Sequence, residues 1–162
     1  MLNRSWIEAH IPHQAAMCLL DRVDSHGEDE IACTAFSHHS PDHPLRDASG
    51  LGIVTGIEYA AQAMAVHGAL RDGAAAGRGG YLVSARDVTW SVERLDACAG
   101  PLTVRAQRVS ATAATLQYRF SLHAGGEQIL SGRATVVLDA SSVVASAASA
   151  APAAAATQGR PA

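Results

Sequence analysis

Residues 52–70, GIVTGIEYAAQAMAVHGAL, are apolar on nearly every side of a 3.6-residue helical repeat. Ile53, Val54, Ile57, Ala60, Ala61, Ala63, Met64, Ala65 and Val66 leave no continuous polar face. Such a helix must be covered around most of its circumference. The RDGAAAGRGG run behind it reads as a flexible connection, with Gly73 as the helix stop. Elsewhere apolar residues recur at every second position. Val88, Trp90 and Val92 alternate with polar neighbours, as do Leu102, Val104 and Ala106, and then Leu116, Tyr118, Phe120 and Leu122. Residues 129–138 form a last strand-like run, and the segments Ala99-Gly100-Pro101 and Gly125-Gly126 mark turns between them. Two further strands, over 17–23 and 30–37, precede the helix. Strand, strand, buried helix and four antiparallel strands predict an α+β domain, a curved antiparallel sheet wrapped around one long central helix. A second subunit would cover what the sheet leaves open, so a dimer is expected.

Composition changes this picture at one place. Residues 140–162 hold Ala, Ser, Pro, Thr, Gln and Gly with nothing large to bury beyond Val143 and Val144, and are expected to be a disordered tail. The folded domain is therefore placed at 1–139. A net charge of −3 argues against a nucleic-acid-binding face. All twelve basic residues are Arg, which reads as compositional bias. The N-terminus lacks the apolar run of a signal peptide, and no uncharged apolar segment reaches membrane-spanning length. Cys18, Cys33 and Cys98 are odd in number, without CxxC, and read as buried free thiols of a cytoplasmic protein.

The central helix carries few polar side chains. Thr55, Glu58 and Gln62 fall at i, i+3 and i+7 and share one stripe. A carboxylate on so apolar a helix is costly unless paired, and no Arg or Lys lies within one turn. Glu58 is therefore expected to act as a general acid or base with a raised pKa. Upstream, His38-His39-Ser40-Pro41-Asp42-His43 invites a metal site, but its spacing matches no zinc pattern, and no metal or other cofactor is expected. The loop reads instead as delivering a histidine, His43 or His39, towards Glu58. His67 lies about half a turn round the helix from Glu58, which favours a structural or dimer-contact role.

At these residues the chain resembles a known family. Ile11-Pro12-His13 through Met17-Cys18-Leu19-Leu20-Asp21-Arg22-Val23 resembles the opening of bacterial β-hydroxyacyl-ACP dehydratases, and Gly56-Ile57-Glu58-Tyr59-Ala60-Ala61-Gln62-Ala63 their central-helix segment. Asp21-Arg22-Val23, His43-Pro44-Leu45-Arg46 and the helix segment look like the divergent branch found in aryl-polyene and xanthomonadin-type pigment clusters. The chain departs from the standard enzymes in lacking a His-Phe-Pro-Gly motif. Their catalytic His stands fourteen residues before the helix acid, whereas His43 stands fifteen before Glu58.

The resemblance implies a dimeric hotdog fold that dehydrates 3-hydroxyacyl thioesters on acyl carrier protein to trans-2-enoyl thioesters. Glu58 and His43 would be catalytic. The backbone at Gly52, Ile53 and Val54 would receive the thioester carbonyl, and Gln62 would orient Glu58 or touch substrate. In the family the two catalytic groups come from different subunits, so a homodimer, or a heterodimer with a second hotdog protein supplying the missing histidine, is implied. The other readings are a catalytically incomplete partner subunit and an acyl-thioester hydrolase on the same fold.

Overall fold

The computed structural model describes residues 2–72 and 80–138. The expected helix stop at Gly73 and the tail over 140–162 lie outside the described residues.

The chain opens with a short strand β1 (Leu2–Asn3) and a helix α1 (Arg4–His10), neither of which the apolar pattern predicts. Asn3 caps α1 by accepting the Trp6 N–H at 3.1 Å, and Ile7 is the residue the helix buries. The expected strand over 17–23 begins later. Ala15–Met17 form a 3-10 turn entered through Ala15 in the left-handed region, and β2 runs only over Arg22–His26. Cys18, Leu19 and Leu20 are buried but pair with no strand. The Leu19 N–H and C=O are taken by side chains, Gln62 and Ser37, rather than by a ladder.

β3 (Glu30–Ala35) follows, then a long loop, a 3-10 turn over Ile53–Thr55 and the central helix α2 (Gly56–Asp72). β4 (Gly80–Trp90), β5 (Leu102–Ala111), β6 (Thr115–Ala124) and β7 (Glu127–Leu138) complete the chain. β4 starts well before the alternation at Val88. The seven strands form one antiparallel sheet in the order β1-β2-β3-β5-β6-β7-β4.

The inward residues of β5 and β6, Leu102, Val104, Ala106, Tyr118, Phe120 and Leu122, meet Tyr59, Ala60, Ala63, Met64 and Val66 of α2 in one core. This is the curved sheet around a buried helix that the pattern predicts. The helix enters the core at Gly56, where a Cβ would stand 2.5 Å from Leu130 Cδ2 and 3.0 Å from Leu122 Cδ2. Only glycine lets the start of α2 come this close to the sheet. His67, expected to have a structural or dimer-contact role, is fully buried, with Nδ1 2.9 Å from the Tyr118 hydroxyl and Nε2 3.3 Å from the Gly27 carbonyl. Cys18, Cys33 and Cys98 are free thiols, the first two buried. Among the described residues no helix is long and apolar enough to cross a membrane.

Candidate active site

Glu58 sits in the first turn of α2, an end of a helix that favours negative charge. Its side chain is 31% exposed. Two groups approach the same oxygen. His13 Nε2 stands 3.0 Å from Oε1, and Gln62 Nε2 donates to Oε1 at 3.0 Å. His13 comes from the segment between α1 and β2, forty-five residues earlier in the chain. Its own Nδ1 is buried and has no hydrogen-bond partner among the described residues.

This arrangement reverses one expectation. A Glu58 pKa raised by burial is expected from the sequence, but the carboxyl is held below its ordinary value. The hydrogen bond from His13 is the largest cause, burial opposes it, and the Gln62 bond and the His13 charge add to the lowering. Glu58 is thus an ionised carboxylate at neutral pH.

Gln62, fully buried, is fixed at both ends of its amide. Oε1 accepts the Leu19 N–H at 2.8 Å, and Nε2 donates to the Met17 carbonyl at 2.8 Å as well as to Glu58. The spacing of Glu58 and Gln62 at i and i+4 makes their contact legible. Gln62 thus holds one oxygen of the Glu58 carboxylate by a hydrogen bond.

The histidine loop packs against Tyr59 of α2. Arg46 pins it, donating to Asp96 Oδ2 at 2.6 Å, to the Ser40 carbonyl at 3.1 Å and to the His38 carbonyl at 3.0 Å. Asp96, held between Arg94 and Arg46, is driven far below the usual carboxylate range. His43 is 4% exposed and bonds Tyr59, the neighbour of Glu58, rather than Glu58 itself. Leu45 N–H donates to His43 Nδ1 at 3.1 Å, so the neutral ring carries its proton on Nε2 and donates to the Tyr59 hydroxyl at 3.1 Å. Burial, aided by the Arg46 charge, lowers the His43 pKa and favours this neutral form. His39 is exposed and its Nε2 donates to the Gly100 carbonyl at 3.1 Å. Within one chain, neither His43 nor His39 contacts Glu58. Among the described residues no three His, Cys, Asp or Glu side chains converge as metal ligands.

At the expected carbonyl-binding backbone, Ile53 N–H donates to the Glu93 carbonyl at 2.9 Å and Thr55 N–H to Gly52 at 3.1 Å. Val54, between them, is exposed, and its N–H has no acceptor among the described residues. The residue beside Glu58 that sequence reasoning passed over is His13. It stood in the quoted Ile11-Pro12-His13 opening, but only the fold brings that segment to the start of α2.

A family model described as ApeP dehydratase matches residues 5–146 of the chain. Among solved structures, the chain is similar to the dehydratase heterocomplex ApeI:P from Xenorhabdus doucetiae, at 20% identity and a TM-score of 0.71, over 88% of this chain and 96% of that one. It is also similar to a mutant thioesterase from Staphylococcus aureus subsp. aureus Mu50, at 12% identity and a TM-score of 0.57, over 72% of this chain and 91% of the other. A third likeness is to a variant of the phenylacetic acid degradation protein PaaI from Thermus thermophilus, at 19% identity and a TM-score of 0.53, over 72% and 90% of the two chains. No curated protein matches the chain. At these identities the solved structures speak for the fold alone.

Proposed function

The chain belongs to the ApeP-like dehydratase family, and from that premise we propose that it removes water from 3-hydroxyacyl thioesters on acyl carrier protein, in the assembly of aryl-polyene-type pigments. The observation that carries this reading is the pair of Glu58 and His13, 3.0 Å apart, with the Glu58 side chain 31% exposed. Dehydration needs one base at C2 and one acid at the C3 hydroxyl. In this reading ionised Glu58 takes the C2 proton, and protonated His13 gives a proton from Nε2 to the departing hydroxyl. The C2–H and C3–O bonds break, the C2–C3 double bond forms, and water leaves. Proton transfer from Glu58 to His13 across their contact then restores the pair. The Val54 N–H, without an acceptor among the described residues, is the donor proposed for the thioester oxygen, where charge builds in the transition state.

A second subunit belongs to the same reading. β4 is an edge strand, and Tyr81, Leu82, Val83 and Trp90 on it are exposed. An open apolar edge of this kind invites pairing with another chain. That the similar Xenorhabdus assembly is a dehydratase heterocomplex favours a second hotdog protein as the occupant, with a homodimer as the alternative. The test is to incubate 3-hydroxyacyl-ACP with the chain alone, and with the chain plus a second hotdog protein, following the acyl-ACP by mass spectrometry. Loss of one water in either arm supports the reading. Release of the free acid, or an unchanged substrate in both arms, overturns it.

A further inference from the structure

A continuous hydrogen-bond path joins the histidine loop to Glu58 without passing through substrate. Each donor along it is fixed by its neighbours. His43 Nε2–H donates to the Tyr59 hydroxyl at 3.1 Å. The Ser37 hydroxyl donates to the Leu19 carbonyl at 2.7 Å, so Ser37 Oγ must accept from Tyr59, 2.8 Å away. The same residue, Leu19, donates its N–H to Gln62 Oε1, and Gln62 donates to Glu58. Tyr59 is fully buried, and burial pushes its pKa up to about 12, so the hydroxyl keeps its proton and its place in the path.

We propose that Tyr59 and Ser37 are positioning residues for Glu58, acting through the backbone of Leu19. Tyr59 stands next to Glu58 in sequence, but on a helix consecutive side chains diverge, so the two cannot be neighbours directly. The hydroxyl reaches the carboxylate by the longer route: it fixes Ser37, which holds the Leu19 C=O, while Gln62 holds the N–H on the other side of the same Cα. Leu19 has no strand partner to hold it instead. Without the Tyr59 hydroxyl, the Ser37 hydroxyl is free to rotate off Leu19. The Leu19 N–H then drifts, the Gln62 amide loses its anchor, and Glu58 Oε1 loses its alignment with His13. His43 belongs to the same path as the group that orients the tyrosine, which explains a buried histidine next to the site with both ring nitrogens engaged. This inference rests on Glu58 being the catalytic carboxylate.

The test compares Tyr59→Phe, Ser37→Ala and Ser37→Thr in whichever assembly dehydrates 3-hydroxyacyl-ACP. Tyr59→Phe is expected to lower kcat by roughly 5- to 100-fold with KM within about twofold, the loss typical of a catalytic group displaced by an ångström or less. Ser37→Ala should match it, the double variant should be no worse than either single one, and Ser37→Thr, which keeps the hydroxyl, should retain the parent kcat. Equal kcat for Tyr59→Phe and the parent, additive losses in the double variant, or failure of Ser37→Thr to rescue overturns the proposal. If Tyr59→Phe does not fold, Ser37→Ala against Ser37→Thr decides alone. Glu58→Gln run beside them separates the two claims: if it also leaves kcat intact, the assignment of Glu58 has failed rather than the path.

Discussion

At the scale of single residues, the candidate site pairs a carboxylate with a histidine that is remote in sequence and whose hydrogen bond is the largest cause lowering the carboxyl pKa. Glu58→Gln preserves shape and the Gln62 contact but cannot take a proton. It should lower dehydration by roughly 10²–10⁴-fold, as for other acid–base groups. His13→Ala should fall into the same range, and the double variant should be no worse than either single one, since members of one unit are not additive. Steady-state rates with circular dichroism as a folding control check both. A second histidine makes a prediction about stability. His38 is fully buried, and among the described residues neither ring nitrogen has a hydrogen-bond partner. Burial is the first cause that drives its pKa down to about 4, with the His39 charge adding to it, while the Gly100 and Cys98 carbonyls pull weakly the other way. A ring that stays neutral when folded but protonates when unfolded gives its full stability above the ordinary value near 6.5. That stability is lost as pH falls towards about 4, by about 3 kcal/mol in all. His38→Leu should therefore raise the urea midpoint at neutral pH and flatten its decline between about pH 6.5 and pH 4. His43 and His67, also lowered, keep part of the slope. A decline as steep as the parent's would show that His38 is not its source.

At the scale of elements, the helix was the most legible part of the sequence because it is apolar on all sides, and nothing but a wrapped sheet can cover it. α1 was not legible from apolar periodicity. It spans only Arg4–His10, too short for the pattern to repeat. The segment 17–20 reads as strand because it is apolar, yet the Met17 and Cys18 N–H groups close a turn and the Leu19 N–H and C=O serve side chains rather than a ladder. Glu58 and Gln62 were legible because their spacing puts them on one stripe. The partner of Glu58 was not, since a contact between residues 13 and 58 leaves no periodic trace. At the junction of α2 with β6 and β7, two effects compete in Gly56→Ala. Alanine gains up to about 1 kcal/mol in helix propensity. Its Cβ would meet Leu130 and Leu122, both buried and unable to swing away, and overpacking costs about 1–3 kcal/mol. The clash should win, lowering Tm by several degrees in a thermal melt, and an unchanged or raised Tm would contradict the close approach described.

At the scale of the whole molecule, β4 is the longer of the two edge strands of the sheet, the other being the two-residue β1. Val83 lies in a bulge between Leu82 and Ser84 with no register partner on β7, and it is exposed. A lysine there costs the subunit little but blocks pairing along the edge. Val83→Lys should shift the protein from its assembled state to monomer in light scattering, with the far-ultraviolet spectrum unchanged. Retention of the assembled state would place the interface elsewhere. The register of this strand also sets a clock. Gly80 pairs with Leu138, so fifty-eight residues of chain must follow Gly80 before its neighbour exists. At about 5–20 residues per second, a ribosome leaves Tyr81, Leu82 and Val83 without either flank covered for roughly 3–12 s. In those seconds the strand proposed to recruit a subunit is also the one most open to pairing with the wrong chain. Supplying the partner during synthesis, rather than after purification, should raise the yield of soluble protein.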